Sequence, residues 1–200
     1  MDEQHPWLRA AAALVPAVPE EAAPTVLPPP PAFARPQFGV PVPDRADRLP
    51  QRSTPYTATV WWLGVSGGSG ESTLAALAKG SRPADHSWPI PETPGTVNRV
   101  VLVARTNFVS LTAAQRAATE WASGVLGSGI QLGGLALIPD APGRLPKELR
   151  DLARVVGGGV PRTWSLPWVD AWRFGPVNRV DVDQGFSLMF NELHLPSAPH

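Results

Sequence analysis

The chain has 200 residues, no net formal charge, no cysteine and 43% hydrophobic residues. This apolar content is sufficient for one modest core. Without cysteine there can be no disulfide, no thiolate zinc site and no cysteine nucleophile. The four histidines lie far apart in the sequence, which argues against a histidine metal site. Without an excess of basic residues, direct binding to nucleic acid or to an anionic membrane is not expected.

The first residues do not have the pattern of a targeting signal. Acidic residues follow Met1, whereas a signal peptide begins with basic ones. The apolar run at 10–18 contains Pro16 and is shorter than a membrane span. We therefore expect a cytoplasmic protein without membrane attachment.

The first 55 residues hold about half of the 25 prolines. Because proline lacks a backbone N–H and disfavours helix in the preceding residue, residues 1–55 are predicted to form an extended, largely disordered arm. A short helix around Trp7 is the predicted exception. This exposed tryptophan suggests a docking peptide for a protein partner. The alternative is a terminus that stays disordered or folds back onto its own domain.

The remaining pattern predicts one α/β domain over residues 56–195, followed by a flexible tail at 196–200. Apolar strands alternate with helical periodicities, which favours a small parallel sheet with helices on both faces. Ser110 is the predicted N-cap of the second helix, and residues 81–97 are predicted to be a long loop. The predicted strands lie at about 56–65, 99–105, 133–138 and 162–166, and the predicted helices at about 72–79, 111–124, 146–156 and 186–193.

A glycine-rich turn joins the first predicted strand to the first helix, and it reads Gly64-Val65-Ser66-Gly67-Gly68-Ser69-Gly70-Glu71-Ser72-Thr73. In an open parallel sheet, ligand sites lie at the carboxyl ends of the strands. Glycines allow consecutive amides to point inward, and a helix start adds its positive dipole end, which together favour a bound phosphate. Arg105, at the end of the second strand, is a candidate for additional positive charge. The alternatives for it are an exposed arginine or a partner of Glu71.

The segment Ser66-Gly67-Gly68-Ser69-Gly70-Glu71-Ser72-Thr73 resembles the deviant Walker A loop of ParA/MinD-type ATPases, which reads Lys-Gly-Gly-x-Gly-Lys-[Ser/Thr]-Thr. Trp164-Ser165-Leu166-Pro167-Trp168-Val169-Asp170 is similar to the late Ile-Pro-x-Asp turn of that family. The resemblance covers roughly residues 56–175. More particularly, the Gly-Gly-x-Gly-x-Ser-Thr-Leu-Ala string resembles a group of actinobacterial proteins associated with plasmid and conjugation loci.

This resemblance implies a P-loop NTPase-like fold that binds ATP or ADP with Mg²⁺, and it leaves a homodimer possible. Ser72 would lie at the Mg²⁺ ion, and Asp140 and Pro167 would lie near the nucleotide base. The phosphate-binding residues that it implies, with Arg105 added from its place in the fold, are Gly67, Gly68, Ser69, Gly70, Glu71, Ser72, Thr73 and Arg105.

Two departures from the family pattern argue against catalysis. Ser66 and Glu71 occupy the positions of the two family lysines, and a carboxylate beside the phosphates would add repulsion. No apolar strand ends in the Asp-x-x-Gly expected of a Walker B motif and second switch. We therefore interpret the chain as a non-catalytic adaptor or regulatory protein. The resemblance alone implies plasmid maintenance or conjugative transfer as its process. The first alternative is a nucleotide-binding switch that does not hydrolyse.

A second alternative is a small serine hydrolase, because Gly64-Val65-Ser66-Gly67-Gly68 also satisfies the Gly-x-Ser-x-Gly pattern of a nucleophile elbow. Ser66 would be the nucleophile, His194 the base and Asp140 its orienting partner. Only a proline-rich segment precedes the turn, and no His-Gly-Gly oxyanion segment is present. Both observations disfavour this alternative.

Three tryptophans, Trp164, Trp168 and Trp172, recur at intervals of four residues. They are interpreted either as core that packs against the final helix or as a surface for a protein partner, called here the Trp164–Trp172 surface. A protein partner is therefore expected at this surface or at the N-terminal arm.

Overall fold

Strands and helices alternate along the part of the chain that the computed structural model describes, residues 35–37, 39–175, 177 and 182–196. The predictions for residues 1–34 and 197–200, including the helix around Trp7, lie outside the described residues. The strands are β1 (Gln51–Thr54), β2 (Val60–Gly64), β3 (Ser81–Pro83), β4 (Trp88–Pro91), β5 (Asn98–Arg105), β6 (Ile130–Ile138) and β7 (Thr163–Ser165). The helices are α1 (Glu71–Leu77), α2 (Phe108–Ala122), α3 (Lys147–Gly158) and α4 (Gln184–Glu192), with short 3-10 turns at Arg45–Asp47 and Asp170–Arg173.

Five of these strands form a parallel sheet with the order β3-β2-β5-β6-β7. Counted along the chain, they follow the order 2-1-3-4-5, which is common among doubly wound sheets. The direction of winding reverses between β2 and β5, where Gly64 lies beside Val103. Sheets of this kind place ligands in the crevice at such a reversal. The predicted α/β class with a parallel sheet is confirmed.

Helices cover both faces of this sheet. Along β2, Trp61 and Leu63 belong to one core cluster with side chains of α2 and α3. Val60 and Trp62 belong to the opposite cluster, with side chains of α1 and α4. Since successive side chains of a strand point to opposite faces, a strand buried on both faces has the continuous apolar pattern seen here. Among the described helices, none combines the length and the apolar character that crossing a membrane requires.

The predicted long loop at 81–97 is wrong, because this segment contains β3 and β4. β3 is an edge strand next to β2, and β4 pairs in parallel with β1 in a separate two-stranded sheet. Pro83, Pro89 and Pro91 weaken the strand pattern of this segment in the sequence. Proline is accepted in edge strands, where its missing N–H need not interrupt a ladder.

Residues 45–54, predicted as part of the unpacked arm, are folded against the domain. The N–H of Leu49 donates to the Glu120 carboxylate at 3.1 Å, and the Leu49 side chain packs against the core. Asp47 forms an ion pair with Arg116 at 3.0 Å. These contacts are with α2, which is distant in the sequence, so they could not be predicted from the proline content of the segment itself. The folded unit therefore begins earlier in the chain than predicted.

The N-cap of α2 is Asn107 rather than the predicted Ser110. The side chain of Asn107 accepts a hydrogen bond from the Ser110 N–H at 2.9 Å. Ser110 is itself buried, and its hydroxyl accepts from the backbone N–H of Arg105 at 3.1 Å. Both residue types are good caps, so the sequence does not distinguish them. The consequence is a buried hydroxyl at the start of α2, next to the end of β5.

Candidate functional site

The glycine-rich turn, defined here as residues 65–70, leaves β2 at the carboxyl edge of the sheet beside the end of β5. Gly68 and Gly70 have φ angles of +70° and +99°, in a region that other residues rarely adopt. A Cβ at Gly70 would lie 2.7 Å from the Ile138 side chain, so this position also lacks room for a larger residue. The turn therefore lies where the sequence predicts it, and its backbone depends on glycine.

Serine side chains close the turn by internal hydrogen bonds. Ser69 is fully buried. Its hydroxyl accepts from the Ser66 N–H at 3.2 Å, and its N–H donates to the Ser66 carbonyl at 3.2 Å. The Ser66 hydroxyl lies 2.5 Å from the hydroxyl of Ser110 and 3.1 Å from that of Ser69. The turn is thus held together and joined to α2 without any ligand.

Glu71, where the resemblance to the Walker A loop would place a lysine, is buried, with only 6% of its surface exposed. Its Oε2 accepts a hydrogen bond from the Gly64 N–H at 2.7 Å. Its Oε1 lies 3.5 Å from Nε2 of His86. The carboxylate therefore binds the end of β2 and the segment after β3, and it has a structural role that the sequence did not reveal.

His86 completes this cluster, and sequence reasoning missed it because it follows the unrecognised β3 and belongs to no motif. Its Nδ1 lies 2.7 Å from the Gly64 carbonyl oxygen. Both ring nitrogens therefore face oxygen atoms, Nδ1 that of the Gly64 carbonyl and Nε2 that of the Glu71 carboxylate. Asp85 and His86 have φ angles of +51° and +55°, an uncommon conformation for residues with side chains. A Cβ at Gly64 would lie 2.9 Å from the imidazole ring, so the close contact requires glycine there.

Arg105 lies where the sequence places it, but its side chain already binds two carbonyl groups. Its Nε donates to the Gly68 carbonyl at 3.0 Å, and its Nη1 donates to the Pro139 carbonyl at 2.8 Å. The guanidinium thus connects the glycine-rich turn with the segment that follows β6. Two of its five donors are used in this connection.

Some groups at the turn remain open to a ligand. Gly67, Gly68 and Ser72 are exposed. The first hydrogen bond of α1 runs from the Leu74 N–H to the Gly70 carbonyl, so the amides of residues 71–73 have no intrahelical acceptor. In the described part of the chain, no three His, Asp or Glu side chains come together in a metal-binding group.

The three residues of the hydrolase alternative do not come together. The Ser66 hydroxyl lies against Ser69 and Ser110, as described above. Asp140 Oδ1 accepts from the side-chain amide of Asn107 at 3.0 Å. His194 is exposed, just beyond the end of α4. Among the described residues, no hydrogen bond joins Ser66, Asp140 and His194 to one another.

The three tryptophans of the Trp164–Trp172 surface have different environments. Trp164 is buried and donates from Nε1 to the Glu192 carboxylate at 2.8 Å. Trp172 packs edge-to-face on Phe186 of α4, with ring centroids 5.3 Å apart. Trp168 is only half-buried. Two of the three thus contribute to packing against α4. A cavity of about 180 Å³ lies between Trp168, Trp172 and the turn. Its lining includes Gly70, Thr73, Arg105, Pro167, Trp168 and Trp172.

Comparison with known proteins gives a family and no relative of established function. The chain matches the model of a family described as a family of unknown function (DUF6668) over residues 58–182, which is more than half of its length. The chain therefore belongs to this family. No curated protein and no solved structure matches the chain significantly.

Proposed function

We propose that this member of the DUF6668 family is a non-catalytic adaptor or regulatory protein with a ParA/MinD-like domain, in which the glycine-rich turn serves as structure. The observation that carries the proposal is the position of Glu71. Where a phosphate-binding loop needs a lysine, this chain has a buried carboxylate that accepts the Gly64 N–H.

Electrostatics support this proposal. Two like unit charges about 4 Å apart repel by about 4 kcal/mol at an effective dielectric constant of about 20. A phosphate on the turn would be repelled by the Glu71 carboxylate, by an amount set by their separation, instead of being attracted by a lysine. The main nearby cation, Arg105, donates two of its hydrogen bonds to the Gly68 and Pro139 carbonyls.

Exposed apolar side chains near the same edge of the sheet support an adaptor role. Phe108 and Val109, at the start of α2, are 66% and 71% exposed, and Phe174 is 82% exposed. Arg173 lies between rings, 5.8 Å from the Trp168 centroid and 5.9 Å from the Phe174 centroid. Exposed aromatic side chains beside an arginine are typical of protein-binding surfaces.

A nucleotide titration tests the structural role of the turn. We expect no change in melting temperature with ATP or ADP and Mg²⁺ at millimolar concentration, and no phosphate release. The matched variant is Gly67→Asp, because a Cβ at Gly67 meets no atom within 4 Å and the added charge would weaken any phosphate site. A nucleotide-dependent rise in the wild type that Gly67→Asp abolishes would contradict the proposal.

That contrary result would establish the second candidate, a nucleotide-binding switch that does not hydrolyse. The open amides of residues 71–73 and the exposed Gly67 and Gly68 favour it. By mass action, a ligand at about 100 times its dissociation constant would stabilise the fold by about 2.7 kcal/mol. Such a stabilisation is large enough to be seen in the titration.

Photo-crosslinking tests the adaptor role directly. A photoreactive phenylalanine analogue at position 174 should crosslink to one defined protein in cells of the native host. The same analogue in place of Lys79, an exposed residue after α1, is the control and should give no such product. If neither position yields a specific product, or if both yield the same set, position 174 is not part of a docking surface.

A further inference from the structure

We propose that a cavity beyond the carboxyl ends of β6 and β7 binds a small amphipathic anion, with an apolar ring or chain and one carboxylate or similar group. This inference goes beyond the proposed adaptor role and does not depend on it. The cavity has a volume of about 740 Å³, within the range of sites that enclose small molecules. Segment 139–146, which connects β6 to α3, lines it together with one side of α3.

The lining is mostly apolar. Leu137 of β6, Ala153 of α3 and Leu166 just after β7 are buried, and they contribute to the walls of the cavity. Leu149 adds a half-buried aliphatic side chain from the first half of α3. Such walls favour the ring or aliphatic chain of a ligand, since its burial removes apolar surface from water.

Arginines give the same cavity a positive charge. Arg144 and Arg150 line it, and in the described part of the chain neither side chain has an ion-pair partner. Arg154 also lines it, but it is neutralised by Asp151 at 2.8 Å. The one acidic lining residue, Asp140, accepts a hydrogen bond from the side-chain amide of Asn107. Unpaired guanidinium groups at the rim of an apolar cavity favour a carboxylate, sulfonate or phosphate group on the ligand.

This cavity is separate from the glycine-rich turn. None of residues 65–70 lines it, and Arg105 does not line it either. The turn instead borders the smaller cavity at Trp168 and Trp172. Pro139 lines both cavities, but Arg144 and Arg150 line only the large one, so anion binding there can be tested apart from nucleotide binding at the turn.

Titration of the full chain with 2-naphthoate and with its neutral analogue 2-naphthamide tests the proposal. Both have the same ring system, so their difference reports the charge. Binding is followed by calorimetry at neutral pH. We expect 2-naphthoate to bind at least about tenfold more tightly than 2-naphthamide, because the charge-assisted hydrogen bonds are made only by the anion.

Three variants assign the binding to this cavity. Arg150→Gln should weaken 2-naphthoate about tenfold or more and leave 2-naphthamide nearly unchanged. Arg116→Gln is the matched control, since Arg116 pairs with Asp47 and does not line the cavity. Ser165→Trp, at an exposed lining position, should block both compounds, with the folded state verified by circular dichroism.

Several results would overturn the proposal. One is the absence of 2-naphthoate binding to the wild type at millimolar concentration. Equal affinity for the two compounds would show that charge plays no part. Equal weakening by Arg150→Gln and Arg116→Gln would show a general electrostatic attraction to the protein rather than a site.

Discussion

At the scale of single residues, two buried carboxylates differ in whether both of their oxygens have a partner. Glu71 binds the Gly64 N–H and faces His86. Glu120 is fully buried, and its Oε2 accepts from the Trp88 Nε1 at 2.9 Å and from the N–H of Leu49. Its Oε1 has no hydrogen-bond partner within the described structure. Glu71 thus has a partner for each oxygen, whereas Glu120 does not.

Replacing Glu71 by lysine should destabilise the protein without creating a phosphate site. Glu71→Lys removes the acceptor of the Gly64 N–H, and an unsatisfied buried donor costs about 1–3 kcal/mol. It also places a cation beside His86. Urea denaturation should show a lower midpoint, whereas the exposed Ser72→Lys next to it should change little. An unchanged midpoint for Glu71→Lys would show that the carboxylate does not hold the strand end.

Glu120 predicts a dependence of stability on pH. Burial raises the pKa of the Glu120 carboxyl above its usual range, against the hydrogen bonds from Trp88 and Leu49 that lower it. A raised pKa in the folded state means that the contribution of Glu120 to stability is full below its unfolded pKa and is lost as pH rises through the folded value. Glu120→Gln keeps an acceptor for both donors and cannot ionise.

The melting temperature of the wild type relative to Glu120→Gln should therefore fall as pH rises from about 4, near the pKa of a glutamate in the unfolded chain, through the raised folded value. Thermal scans of both proteins across this interval measure the difference. Asp47→Asn is a suitable control, since its carboxylate is partly exposed and pairs with Arg116. A difference between wild type and Glu120→Gln that stays constant with pH would contradict the assignment.

At the scale of elements, a strand is predictable from the sequence when the pattern that indicates it lies within the strand itself. β2, β5 and β6 are continuous apolar runs, because helices cover them on both sides, and such runs are visible in the sequence. β1 and β4 pair with each other, and each lies in a proline-containing segment that has no clear strand pattern of its own. Gln51 pairs with Trp88, about 37 residues later in the chain, and a local sequence pattern cannot indicate such a partner.

In the candidate site too, the features that depend on local sequence were predicted and those that depend on distant residues were not. The turn itself was predicted, because a glycine string between a strand and a helix is a local pattern. The inward orientation of Glu71 was not, because it depends on His86, which an uncommon backbone conformation at Asp85 and His86 brings over Gly64. The large cavity was not predicted either, since its lining comes from β6, α3, β7 and the segments between them.

In addition to its apolar packing, the final helix α4 is joined to the edge of the sheet through the carboxylate of Glu192. Glu192 accepts from Arg162 at 2.6 and 2.9 Å, and from Trp164. The Arg162 hydrogen bond, more than that of Trp164, lowers the pKa of Glu192. A lowered pKa means that the stabilisation is present above the unfolded value and is lost as pH falls through the folded one.

Arg162→Gln should therefore lower the melting temperature by about 2–4 °C at neutral pH, and the difference should shrink as pH falls below about 4. Arg154→Gln serves as the control, since Arg154 pairs with Asp151 within one helix and links no elements. A decrease that persists in acid would assign the effect to lost packing of the arginine side chain instead of its charge.

At the scale of the whole molecule, the segment before β2 is part of the folded unit. A chain that starts at Arg35 keeps every contact described here and serves as the reference. A chain that starts at Tyr56 loses β1, the packing of Leu49 and one donor to Glu120. It should melt lower by about 5 °C or more. Equal melting temperatures for the two truncated chains would show that segment 35–55 contributes nothing to stability.

The hydrogen bond between Leu49 and Glu120 joins residues that are 71 positions apart, and this separation has a consequence for synthesis. Ribosomes add about 5–20 residues each second, so Leu49 is added to the chain roughly 4–14 s before Glu120. During that interval Leu49 lacks its acceptor on α2, and for about the first half of it β1 also lacks its partner β4. The contacts of the first part of the domain therefore become available only after later parts have been made, and a chaperone that protects nascent chains would meet this segment while it is still unpaired.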